Sequence, residues 1–152
     1  MIYIQVDEMF EAVISEKLLE QAAEETLRHA GRTQAAPQES DLTIVLTDDA
    51  ALQNLNLEFM GIDAPTDVLS FPADLIDPDS GKPYLGDVLI SVPRAQAQAP
   101  ENQQSVQDEI LLLAVHGVLH LLGYDHAEPE EKEQMWARQN LVLGLLRSAG
   151  PG

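Results

Sequence analysis

Eleven residues hold the densest chemistry in this chain: His116-Gly117-Val118-Leu119-His120-Leu121-Leu122-Gly123-Tyr124-Asp125-His126, with three of its four histidines. Positions 116 and 120 are four apart, so at about 100° per residue both imidazoles leave one face of a helix, one turn apart. That pair can grip one metal ion. On a continuing helix residue 126 would lie about 9 Å further along and point away from the pair. Gly123 offers the way out, since glycine takes the left-handed conformation that ends a helix and lets the chain return His126 as a third ligand. Three neutral imidazoles and an open position make a catalytic zinc site. A lone histidine on an apolar helix is more often a hydrogen-bonded core residue. Two inside a run as apolar as Ile110 to Leu122, with a third just beyond it, change the odds: buried and unpaired, each ring would cost a few kcal/mol, and a shared metal removes that cost.

The rest of the composition narrows the metal and the partners. With no cysteine, disulfides and thiolate sites are excluded, and histidine and carboxylate remain as the strong ligands. Zinc suits such a set better than softer metals, with iron, nickel and copper as alternatives. The 152 residues suit a single domain over residues 1–152. The opening residues lack a basic flank and a signal-like apolar run, and the longest fully apolar stretch, Ile110 to Val115, is too short to span a bilayer; both predict a cytoplasmic protein without a membrane partner. Eight basic against 26 acidic residues give a net charge of −18. A nucleic-acid substrate would therefore have to be met by a local basic patch working against the overall field, with Arg28, Arg32, Lys82 and Arg94 as candidates.

The elements that must position the histidines can be read from periodicity and punctuation. Ile2, Ile4 and Val6 alternate as a first strand; Ser15 caps a helix closed at Gly31, with Ile14 and Leu19 as its staple. Leu42 to Thr47 form a second strand, and Asp48 or Thr47 caps a helix that Gly61 stops. Asp67 to Phe71 and Asp87 to Val92 read as two further strands, joined by a turn-rich stretch, Ala73 to Pro83, that predicts a flap over a cleft. A short helix over Pro93 to Gln98, the histidine helix, and a C-terminal helix from Pro129 to Arg147 follow. The order predicts an α+β fold, a small mixed four-stranded sheet packed with helices, one of them a metzincin-like zinc-binding helix.

The spacing His-x-x-x-His-x-x-Gly-x-x-His is that of metzincin-type proteases, whose general base is the glutamate after the first histidine. Here that position is Gly117, and a peptidase of this design lacks its base. With Leu55-Asn56 through Pro65-Thr66-Asp67-Val68-Leu69-Ser70-Phe71-Pro72 and Gly86-Asp87-Val88-Leu89-Ile90-Ser91, the histidine segment resembles the YbeY family of bacterial ribosomal-RNA maturation endoribonucleases. The resemblance implies a zinc-dependent, single-strand-specific endoribonuclease acting in small-subunit ribosomal RNA processing and ribosome quality control. Its partners would be single-stranded RNA and ribosome-assembly components, not DNA. It also implies one zinc per chain, on His116, His120 and His126.

Asp125, Asp67 and Asp87 lie in the three matching segments and are the candidate catalytic carboxylates, set against turn capping or ligand support for Asp125 and strand-end hydrogen bonding for the other two. Either water or the RNA 2′-hydroxyl can serve as nucleophile in such a site. Arg28, Arg32 and Arg94 are the candidate substrate-binding residues. His29 is explained by the dipole of the first helix. One departure stands out. The family carries an arginine, preceded by an aromatic, after the Leu-Asn pair; here Phe59 is followed by Met60, which cannot hold phosphate oxygens bidentately. Two alternatives remain: a metal-dependent hydrolase of another class, and a non-catalytic ribosome-assembly factor with structural zinc.

Overall fold

A computed structural model describes residues 1–29, 40–124 and 128–148. Among these residues nine regular elements follow in chain order: β1 (Ile2–Val6), α1 (Glu16–His29), β2 (Asp41–Thr47), α2 (Asp49–Met60), β3 (Val68–Ile76), β4 (Pro83–Ser91), α3 (Val92–Glu101), α4 (Val106–Leu121) and α5 (Pro129–Ser148), with a 3₁₀ turn at Glu8–Phe10. The four strands form one mixed sheet in the order β1-β2-β4-β3, in which β1, β2 and β4 run parallel and β3 pairs antiparallel with β4. This is the expected α+β arrangement.

Local chemistry accounts for the boundaries. The Ser15 hydroxyl accepts from Leu18 N at 3.0 Å, and Ile14 and Leu19 on either side of this cap are both buried. Of the two possible caps for α2, Asp48 is the one used, its carboxylate accepting from Ala51 N at 2.8 Å. Ser105 caps α4 by accepting from Asp108 N at 3.1 Å. The predicted flap is strand in its first four residues and at Pro83. Leu75 pairs with Tyr84 and Ile76 with Pro83, a register shift between Pro72 and Leu75 accommodates the proline, and the turn shrinks to residues 77–82. Asp77 N to the Lys82 carbonyl and Gly81 N to the Asp77 carbonyl, both 2.8 Å, close it.

Side chains alternate across a strand, so each face of the sheet reads off the register. Ile44 and Val88 are paired, fully buried, and face α1 and α4, while α5 packs over those two helices. The other face carries α2, whose Phe59 ring meets that of Phe71 edge-on at 5.3 Å. Among the described residues no helix is long and apolar enough to cross a membrane.

Candidate metal centre

α4 is the most deeply embedded helix. From Glu109 to Leu121 every residue is buried except Leu112, His116 and His120, which lie at i, i+4 and i+8 and form its one partly open stripe. The two imidazoles stand 4.7 Å apart, centre to centre, with ring planes at 74°. Both line a cleft of about 380 Å³ along the outer strand β3, together with Met60, Asp67 and Ser70. A second hollow of about 390 Å³ adjoins it, sharing Asp67, Val68 and His116 and reaching Glu109 and Gln139.

The helix ends as its sequence demands. Gly123 adopts φ 94°, Gly123 N donates to the His120 carbonyl and Tyr124 N to the Leu119 carbonyl, both at 3.0 Å. These two bonds make a Schellman motif, which turns the chain immediately after the second histidine. Residues 125–127 lie outside the described residues, so the expected third ligand His126 and the candidate Asp125 are not placed, and Arg32 and Gly31 fall in the same category. Among the described residues no group of three metal-ligating side chains is assembled. The donors that are placed fit a zinc ion in kind, since two imidazoles one turn apart can converge on one metal.

Gly117 is glycine for a steric reason. A Cβ there would stand 2.4 Å from Val88 Cγ1 and 3.3 Å from the Ser70 oxygen, and the Ser70 hydroxyl donates to the Gly117 carbonyl at 3.0 Å. The helix thus lies directly on the sheet, and the protease-type glutamate has no space at this position. Gly117→Ala tests the contact. Alanine gains about 0.8–1 kcal/mol in helix propensity, but overpacking costs about 1–3 kcal/mol, so net destabilisation of up to about 2 kcal/mol is expected in urea unfolding. Adding Val88→Ala should make the alanine at 117 tolerable, and additive losses in the double variant would refute a direct clash.

Of the carboxylates, Asp67 reaches the cleft, its backbone carbonyl held by Ser91 N at 2.9 Å. Asp87 does not. It pairs with Phe71 and directly precedes Val88, which faces α4, so it projects from the opposite face, where it accepts from the Tyr84 hydroxyl. Thr43 lies 2.5 Å from that same hydroxyl, and burial, reinforced by Asp87, pushes the Tyr84 phenol up to about 12. Strand-end hydrogen bonding is the role its geometry supports.

The arginines are also redistributed. Arg94 is engaged by Asp49 through Nη2 at 2.8 Å and Nε at 3.3 Å, and this contact holds the Asp49 carboxyl below its usual range. One edge of its guanidinium is taken by a carboxylate. Arg28 pairs with Glu25 and lines a hollow with Met1, Ile2 and Lys82 that neither His116 nor His120 lines. His29 bridges to Glu25 at 3.3 Å, away from the α4 pair. No lysine or arginine is among the described residues lining the histidine cleft.

The model of the Endoribonuclease YbeY family matches residues 5–147. The chain belongs to that family. Among curated YbeY relatives, that of Roseiflexus castenholzii is 43% identical over 148 residues, spanning 94% of this chain and 91% of its own length. That of Pelotomaculum thermopropionicum is 46% identical, spanning 85% and 84% respectively. A Thermotoga maritima protein known from its solution structure superposes with a TM-score of 0.60 at 28% identity, covering 98% of this chain and 93% of its own.

Two polar residues beside the histidines were not singled out from the sequence. Glu109, fully buried at the start of α4, accepts from Asn102 at 2.9 and 3.0 Å and from Gln104 at 2.5 Å, pinning the connection between α3 and α4. Gln139 of α5 places its Oε1 3.1 Å from His116 Nδ1. The available signal was a polar residue within the periodic apolar stripe of a helix, a position that costs free energy unless paired.

Proposed function

We propose that this chain is a zinc-dependent endoribonuclease that cleaves single-stranded RNA in small-subunit ribosomal RNA processing and ribosome quality control. The observation that carries the reading is the His116–His120 pair on the one open stripe of α4, facing a cleft, in a chain of the Endoribonuclease YbeY family. His116 and His120 would hold the zinc, with His126 as the third ligand. Bound there, the ion would polarise a phosphoryl oxygen and supply the Lewis acidity for phosphodiester cleavage.

The chain's own groups do the rest. Asp67 is the candidate carboxylate that lines the cleft, and it is assigned to take the proton from the attacking hydroxyl. The cleft runs along one outer strand and is open, which suits an extended single strand with splayed bases better than a rigid duplex. The blocked position at Gly117 weighs against the peptidase alternative. The test is a parallel digestion of single-stranded RNA, the same strand as duplex, single-stranded DNA and unfolded protein by the zinc-loaded chain. Cleavage of the single-stranded RNA alone, stopped by a chelator and restored by zinc, is expected; protein cleavage, or intact RNA with zinc-loaded protein, would overturn the reading. Precursor small-subunit RNA as substrate tests the ribosomal assignment.

A further inference from the structure

The apolar stripe of α5 contains Met135, Val142, Leu143 and Leu146, all buried, and Gln139 falls on the same face, four residues after the first and three before the second. Gln139 itself is half-buried and lines the hollow that His116 also lines, so its amide is available to the imidazole. Its oxygen meets Nδ1 of His116 at 3.1 Å, a contact between residues 23 apart in sequence and on two packed helices. An amide oxygen has no proton to give, so the hydrogen between them belongs to Nδ1. In a neutral imidazole with Nδ1 protonated, Nε2 carries the lone pair.

We infer that Gln139 is a positioning residue for zinc binding, fixing His116 in the tautomer and ring orientation that present Nε2 to the metal. The inference rests on the zinc reading above and adds the origin of the ligand's orientation. Holding the ring from a second helix sets its rotation about the Cβ–Cγ bond, which α4 alone leaves open. It also raises the basicity of Nε2, because the polarised Nδ1–H passes electron density to the ring.

The test is chelator competition for zinc on the full chain in three forms: wild type, Gln139→Leu and Gln139→Glu. Leucine suits the apolar stripe but offers no acceptor, and its zinc affinity is expected to fall about 10–100-fold, the usual cost of removing such a partner. Glutamate restores the acceptor and is expected to bind zinc at least as tightly as wild type. Thermal unfolding of the zinc-stripped forms separates packing from ligand orientation: the leucine variant should unfold at or above the wild-type temperature while binding zinc less well. Wild-type affinity in Gln139→Leu, or a glutamate variant as weak as the leucine one, overturns the inference while leaving the zinc reading intact. A wild type that retains no zinc overturns both. Long-range ¹H–¹⁵N spectra of the zinc-loaded wild type need no variant; they should show His116 protonated at Nδ1 and coordinated through Nε2, and coordination through Nδ1 would refute the role of Gln139.

Discussion

Replacing His120 with alanine is expected to empty the metal site and silence RNA cleavage while leaving the fold in place. His120 is only partly buried and stands on the open stripe of α4, so alanine there creates no core cavity and favours the helix. The Schellman bonds that follow use the His120 backbone carbonyl, which the substitution keeps. Loss of a ligand should exceed the roughly 10–100-fold that follows loss of a ligand's hydrogen-bonding partner, so zinc affinity should drop by more than about a hundredfold. Removing electrostatic stabilisation from a phosphoryl transition state costs about 10²–10³ in rate, and cleavage should fall by at least that. Metal analysis after dialysis and a single-stranded RNA digestion check both. Retained zinc, or cleavage at the wild-type rate without it, would show that the α4 pair is not the working centre.

The pairing of the two histidines on one open helix face was legible because i, i+4 spacing is local, and Gly123 marked the end of that helix by the same local logic. Gly117 was legible as an identity but not as a cause: its partner Val88 lies on a strand whose inward face is known only once the register is fixed. The same parity problem misdirected Asp87. It belongs to a segment shared with the family, yet it projects from the side of the sheet that α4 does not cover. Arg94 was read without its partner for a different reason. Its partner Asp49 is 45 residues away, and a sequence offers no sign that a guanidinium is already occupied. The β3–β4 hairpin was concealed by Asp-Pro and Lys-Pro pairs that mark a turn, although Leu75 and Ile76 extend the ladder beyond Pro72.

These corrections leave the histidine cleft without a described cation, which gives weight to Met60. It is the last residue of α2, half exposed, and lines the cleft with both histidines, whereas its neighbour Phe59 is the one packed on Phe71. The thioether thus lines the histidine cleft at the position where the family resemblance places an arginine, which could hold a phosphate if the proposed metal binds there. Met60→Arg is predicted to raise single-stranded RNA cleavage about ten- to hundredfold, since a charge-assisted hydrogen bond to phosphate contributes about 1.5–3 kcal/mol and each 1.4 kcal/mol is tenfold. Stability should not suffer, because the last turn of α2 has no basic residue and a cation there complements the helix dipole. Zinc content should be unchanged, as Met60 offers no imidazole or carboxylate to the site. The gain should shrink with added salt, the mark of a phosphate contact on a protein of net charge −18. Met60→Lys provides the control: a point charge without the planar fork should recover part of the gain, and equal activity in all three forms would show that phosphate is held elsewhere.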